Sequence, residues 1–417
     1  MSAEGKKTQP LKVVLCWHMH QPQYLDMESG RYQLPWTYLH AIKDYVDMAA
    51  ILEASSGGRA VVNFAPILLE QIADYAEQVQ GYLHRKTPIR DPLLAALVTP
   101  ALPPDNESRL SLVKACLRAN EQRLIARFTP YSDLASLARC IDDMPSVVRY
   151  FNQQYIIDLL VWFHLAWLGE TVRREDKRVQ ELVAKGGGFS QHDRRTLLEV
   201  IGGLLDGLLP RYRRLAEAGK VELAMSPYGH PIIPLFLDLE AARDAEPQAR
   251  MPVLSAYPGG AERARWHLEE GRQVFRQHLG VEPTGCWPSE GAVSRDTLAL
   301  LGESGFRWAA SGEGVLRNSL ARSELEAGCI HRPYEVEGGG GVTCFFRDDG
   351  LSDLIGFTYA DWHADDAVNN LVHHLENIAQ ACADEPSRVV PIILDGENAW
   401  EYYPENGYHF LSTLYQR

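Results

Sequence analysis

Short, largely continuous apolar runs recur along this chain, at residues 11–17, 60–64, 221–225, 284–287, 307–311, 342–346 and 390–394, with longer helical-looking stretches between them. A strand with one face in water alternates polar and apolar residues, whereas a strand covered on both faces need not. Several of the seven runs do not alternate, among them Val390-Pro391-Ile392-Ile393-Leu394. They are predicted to be strands of a parallel sheet joined through βα units, which makes the chain an α/β protein, either a barrel or an open sheet.

The spacing is uneven. More than 150 residues separate the second and third runs, and much of that stretch reads as helix, over 110–128, 147–170 and 194–219. Residues 85–220 are therefore expected to form a mainly helical insertion within a single catalytic domain spanning 1–417. Gly186-Gly187-Gly188 marks a turn inside it, and Gly338 to Gly341 a hairpin or loop before the sixth strand.

Composition narrows the function classes. With 41 Lys+Arg against 55 Asp+Glu the net charge is −14, and no basic block carries interleaved aromatics, so nucleic acid is not an expected partner. No segment has the length and apolarity of a membrane span, and residues 1–10 lack the apolar run of a signal peptide. The seven cysteines are dispersed, with no CxxC pair. That pattern reads as reduced thiols in a cytoplasmic protein. Oligomeric state is not legible.

Polar and aromatic residues gather immediately after the apolar runs. His18-Met19-His20-Gln21-Pro22 follows the first, Ser226-Pro227-Tyr228-Gly229-His230-Pro231 the third, and Trp287-Pro288-Ser289-Glu290 closes the fourth. Arg347-Asp348-Asp349-Gly350-Leu351-Ser352-Asp353 follows the sixth and Asp395-Gly396-Glu397-Asn398-Ala399-Trp400 the seventh. In βα barrels the loops at the C-terminal strand ends build the active site. Glycosidic bond cleavage commonly needs two carboxyl groups on different elements, facing each other across the sugar. Glu290 and Asp395 meet that condition. Trp36, Trp287 and Trp400 offer aromatic faces for sugar rings, while His18, His20, His230, Asp353 and Glu397 are candidate hydroxyl-binding or charge-tuning groups.

Together these segments resemble glycoside hydrolase family 57, the α-amylase, amylopullulanase and 4-α-glucanotransferase family. His20-Gln21-Pro22 matches its first motif, Tyr228-Gly229-His230-Pro231 its second, Trp287-Pro288-Ser289-Glu290 its third and Asp395-Gly396-Glu397-Asn398 its fourth. The resemblance implies a TIM-like, distorted (β/α)7 barrel. It also implies a retaining mechanism on α-1,4 or α-1,6 glucans such as starch, glycogen or maltodextrin, with Glu290 as nucleophile and Asp395 as general acid/base. Neither a cofactor nor a metal is expected. Family members continue into a C-terminal helical domain, whereas this chain stops at Arg417 with 408–417 reading as the start of a helix. The expectation is a truncated chain.

Two other readings stay open. His18 and His20 lie two apart on a strand, where both imidazoles reach one side and, with His230 and Asp395, one ion; that describes a metal-dependent barrel hydrolase. A non-catalytic glucan-binding fragment is the other.

Overall fold

The computed structural model describes residues 10–322 and 330–417. All seven expected strands are present: β1 (Lys12–Met19), β2 (Ala60–Phe64), β3 (Val221–Met225), β4 (Gly285–Cys286), β5 (Trp308–Gly312), β7 (Thr343–Arg347) and β8 (Val389–Asp395). An additional two-residue strand, β6 (Tyr334–Glu335), pairs antiparallel with β7, so the Gly338–Gly341 segment is the turn of a hairpin. The other pairs are parallel, and the sheet runs β6-β7-β5-β4-β3-β2-β1-β8.

The sheet curls until β7 approaches β8. No strand ladder joins them; the seam is stitched by single bonds. The Asp348 N–H donates to the Pro391 carbonyl at 2.8 Å, and the Arg347 Nε to the Ile393 carbonyl at 2.8 Å. Pro391 has no N–H of its own, so β8 presents acceptors here. The result is a distorted (β/α)7 barrel in which each principal strand end opens on one rim.

Strand β4 is shorter than the sequence run. Pro283 and Pro288 bracket it, and each lacks the N–H a ladder uses. The long helical readings also break. Asn120 accepts from the N–H groups of Gln122 and Arg123 and starts a new turn, so 110–128 is not one helix. Asn152 caps Gln153–Ala166 in the same way. Between β2 and β3 the described residues form helices and turns and no strand. Helix Pro66–Arg85 begins with Pro at its first turn, and Gln191–Glu217 with a Ser190–Asp193 capping box. The core is continuous from the barrel wall through these helices, with Phe64, Leu69, Tyr75, Phe163 and Leu197 fully buried.

The cysteine expectation needs correction. Cys16, Cys116, Cys140, Cys286 and Cys344 are free, but Cys382 is disulfide-bonded. Dispersed sequence positions do not disclose which residues the fold brings together. Cys329 lies outside the described residues. Among the described residues no helix is long and apolar enough to cross a membrane.

Candidate active site

A cavity of about 740 Å³ opens at the C-terminal strand ends. Its lining includes His18, His20, Trp36, His40, Trp287, Glu290, Arg347, Asp349, Asp395 and Glu397. In the ring β7-β5-β4-β3-β2-β1-β8, strands β4 and β8 are three steps apart one way and four the other. The two carboxylates that follow them, Glu290 and Asp395, therefore stand on opposite sides of the mouth, and both are exposed to it.

Glu290 has φ 56° and ψ 20°, the left-handed region that L-residues enter at a cost. The turn is held on both sides. The Gly291 N–H donates to the Pro288 carbonyl at 2.9 Å, the Ala292 N–H to Ser289 at 3.0 Å, and the Ser311 hydroxyl to the Gly291 carbonyl at 2.6 Å. Strain over-determined in this way is a frequent mark of functional positions. Asp395 is the last residue of β8, level with His18 of β1, and its Oδ2 accepts from the Asn398 amide at 2.8 Å. Gly396 is needed next to it. A Cβ there would sit 2.1 Å from the Met19 sulfur, while its N–H donates to the His18 carbonyl at 2.7 Å.

Behind Asp395, Glu397 is buried. Its Oε1 accepts from the Gln21 amide at 3.0 Å, and Gln21 in turn accepts from the Tyr24 hydroxyl at 3.0 Å. Burial first, then the charge of Asp395, pushes the Glu397 carboxyl well above the usual range. The Gln21 of the His-Gln-Pro segment thus braces an acid two residues beyond Asp395.

The histidines form a stack. His20 and His230 are 3.8 Å apart between centroids with planes 19° apart, and His18 lies 5.6 and 5.2 Å from them. His18 Nδ1 donates to Asn63 Oδ1 at 2.7 Å, leaving Nε2 toward the cavity. Burial lowers all three, His20 to about 4 and His230 to about 2, so they stand as neutral rings at neutral pH. Donor atoms of the three lie within 4.8 Å of one another, close enough to raise the question of a metal. A tetrahedral ion held at about 2.0–2.1 Å sets its donors about 3.3 Å apart with lone pairs converging. The planes of the three rings lie within 20° of one another, so the histidines are stacked as well as clustered.

Not every candidate reaches the cavity wall. Trp400 is 1% exposed, edge-on to Trp17 and packed on Tyr403 and Phe410. Asp353 is outside the lining and pairs with Arg347 Nη2 at 2.8 Å, while Asp349 takes Nη1 at 2.5 Å. His230 touches the lining through His20. Conversely, His40, Asn398 and Glu401 line the cavity without having been singled out. His40 was legible in principle, since it lies four residues after Trp36 and so on the same helix face.

Comparison with known proteins agrees with this architecture. The model of glycosyl hydrolase family 57 matches residues 14–417. No curated protein matches the chain. A GH57-type branching enzyme from Pyrococcus horikoshii superposes with a TM-score of 0.52 at 14% identity, covering 97% of this chain and 67% of its own. The α-amylase AmyC from Thermotoga maritima gives 0.53 at 12% identity, covering 98% and 71%. At such identities the two structures speak for the fold.

Proposed function

Because the chain belongs to glycosyl hydrolase family 57, we propose that it is a retaining glycoside hydrolase or transglycosylase acting on α-1,4 or α-1,6 glucans. The observation that carries this reading is the pair Glu290 and Asp395 on opposite sides of one aromatic-walled cavity. Glu290 attacks the anomeric carbon as Asp395 gives its proton to the departing glycosidic oxygen. The C–O bond to the leaving sugar breaks, and a covalent β-glycosyl ester forms on Glu290. Asp395 then takes a proton from water, or from the hydroxyl of another sugar, which attacks the same carbon and restores the α configuration. The carboxyl groups are expected about 5–5.5 Å apart in the working complex. Trp36 and Trp287 supply faces for the rings, His18 and His20 bind hydroxyls, and His230, stacked on His20, and Glu397 tune the charge around them. The cavity holds more carboxylates than cations, which suits an oxocarbenium-like transition state.

The test is incubation of soluble starch or maltoheptaose with wild type, Glu290→Gln and Asp395→Asn, with and without chelator. Products of altered length from wild type, a fall in kcat of about 10²–10⁴-fold in each variant and indifference to chelator support the reading. The product ladder then separates hydrolysis from transfer. Abolition by chelator would move the chemistry to the histidine cluster.

A further inference from the structure

Away from the two carboxylates, one wall of the cavity ends in a side chain held by an unusually costly apparatus. His40 lies one turn after Trp36 on helix Trp36–His40, and both line the cavity. The next five residues, Ala41–Tyr45, form a π-helical turn, a form that recurs at functional sites. The wide turn brings Lys43 and Asp44 inside together, 1% and 0% exposed.

These groups form a chain that leads to His40. The Nδ1 of His40 donates to Asp44 Oδ2 at 2.7 Å. The other oxygen of Asp44 accepts from the Lys43 ammonium, which also donates to Asn406 Oδ1 at 2.9 Å and lies over the Trp167 ring. The Asn406 amide donates to Asp47 Oδ2 at 2.9 Å, and Asp47 accepts the N–H groups of Glu170 and Thr171. Trp167 fixes the ring from the side, edge-on at 5.6 Å. Asn406 and its neighbour Glu405 hold φ of 56° and 51°, so backbone strain is accepted as well.

Burying an ion pair is weak stabilisation at best, since desolvation offsets the attraction. Apolar residues of the same volume would pack this space at lower cost. What the polar chain does that they would not is fix one nitrogen of His40 and so aim the other. We propose that His40 Nε2 is a glucan-binding group, hydrogen-bonded to a sugar hydroxyl beside the Trp36 face, and that Asp44 and Lys43 are positioning residues for it. A hydroxyl both donates and accepts, so it suits Nε2 in either protonation state. The inference rests on the glucan reading of the cavity.

The test uses the full chain carrying Glu290→Gln, so that binding is seen without turnover. Maltotetraose and its monodeoxy analogues are titrated calorimetrically into this parent and into His40→Ala, His40→Gln and Asp44→Asn made on it, with circular dichroism reporting the fold. The expected result is a loss of about 10-fold or more in affinity for His40→Ala, and a smaller loss for Asp44→Asn. One deoxy analogue should bind the parent weakly yet bind His40→Ala no worse than maltotetraose does, a coupling that general loosening would not produce. If maltotetraose binds the parent and both His40 variants within twofold, the inference fails alone. If the parent binds no α-glucan, the glucan reading fails and takes the inference with it.

Discussion

Glu290 shows how a single residue can be costly to the fold and valuable to the chemistry. Its positive φ is tolerated because the turn around it is bonded on both sides. Glu290→Gln keeps that strain, whereas Glu290→Gly releases it. Denaturant unfolding should therefore find the glycine variant more stable than the glutamine variant by about 1 kcal/mol, with both inactive; equal stabilities would mean the turn is unstrained. At this scale the sequence was readable where chemistry and position coincide. Glu290, Asp395, His18, His20 and Trp287 lie at or just beyond the ends of strands, and with Trp36 they meet in one cavity. It was unreadable where orientation decides. Trp400 looks like a sugar platform in sequence but packs into the core, so Trp400→Ala is expected to cost about 3–5 kcal/mol in unfolding free energy. His40 shares a helix face with Trp36, but the residue types do not say that Asp44 holds one of its nitrogens.

At the scale of elements, strands were the legible part, because burial on both faces leaves a continuous apolar signature. The helices between β2 and β3 were legible as helix but not as separate pieces, since Asn120 and Asn152 act as caps only once the chain turns there. The β7–β8 seam left no sequence signal, being made of isolated bonds. The junction of β8 with the active-site loop depends on close approach: Gly396 sits against the Met19 sulfur. Gly396→Ala is expected to lower stability by about 1–3 kcal/mol through overpacking. It should also depress activity more than stability alone explains, because Asp395 and Glu397 flank it. Comparison of melting temperature with kcat across Gly396→Ala and a Gly396→Ala, Met19→Ala pair checks this: kcat is predicted to recover in the pair, while melting temperature does not, because the buried Met19 leaves a cavity.

For the whole molecule, buried titratable groups shape the pH range of stability. His20 falls from 6.5 to about 4 on folding, and His18 and His230 are lowered too. A folded value below the unfolded one gives stability that is present above pH 6.5 and lost as pH falls toward 4. Glu397 is shifted the opposite way, upward from 4.5, so its contribution is present below 4.5 and lost as pH rises through the folded value. Urea unfolding of wild type, His20→Asn and Glu397→Gln across pH should show a shallower acid limb in the first variant and a shallower alkaline limb in the second. Parallel curves would count against burial as the cause. All these features converge on a cavity with two opposed carboxylates, and the most direct test is to catch the bond one of them forms. Asp395→Asn, treated with an α-glucosyl fluoride that needs no acid to leave, then quenched and digested, should carry a glucosyl ester on the peptide containing Glu290. No adduct, or an adduct on any other residue, would contradict the account.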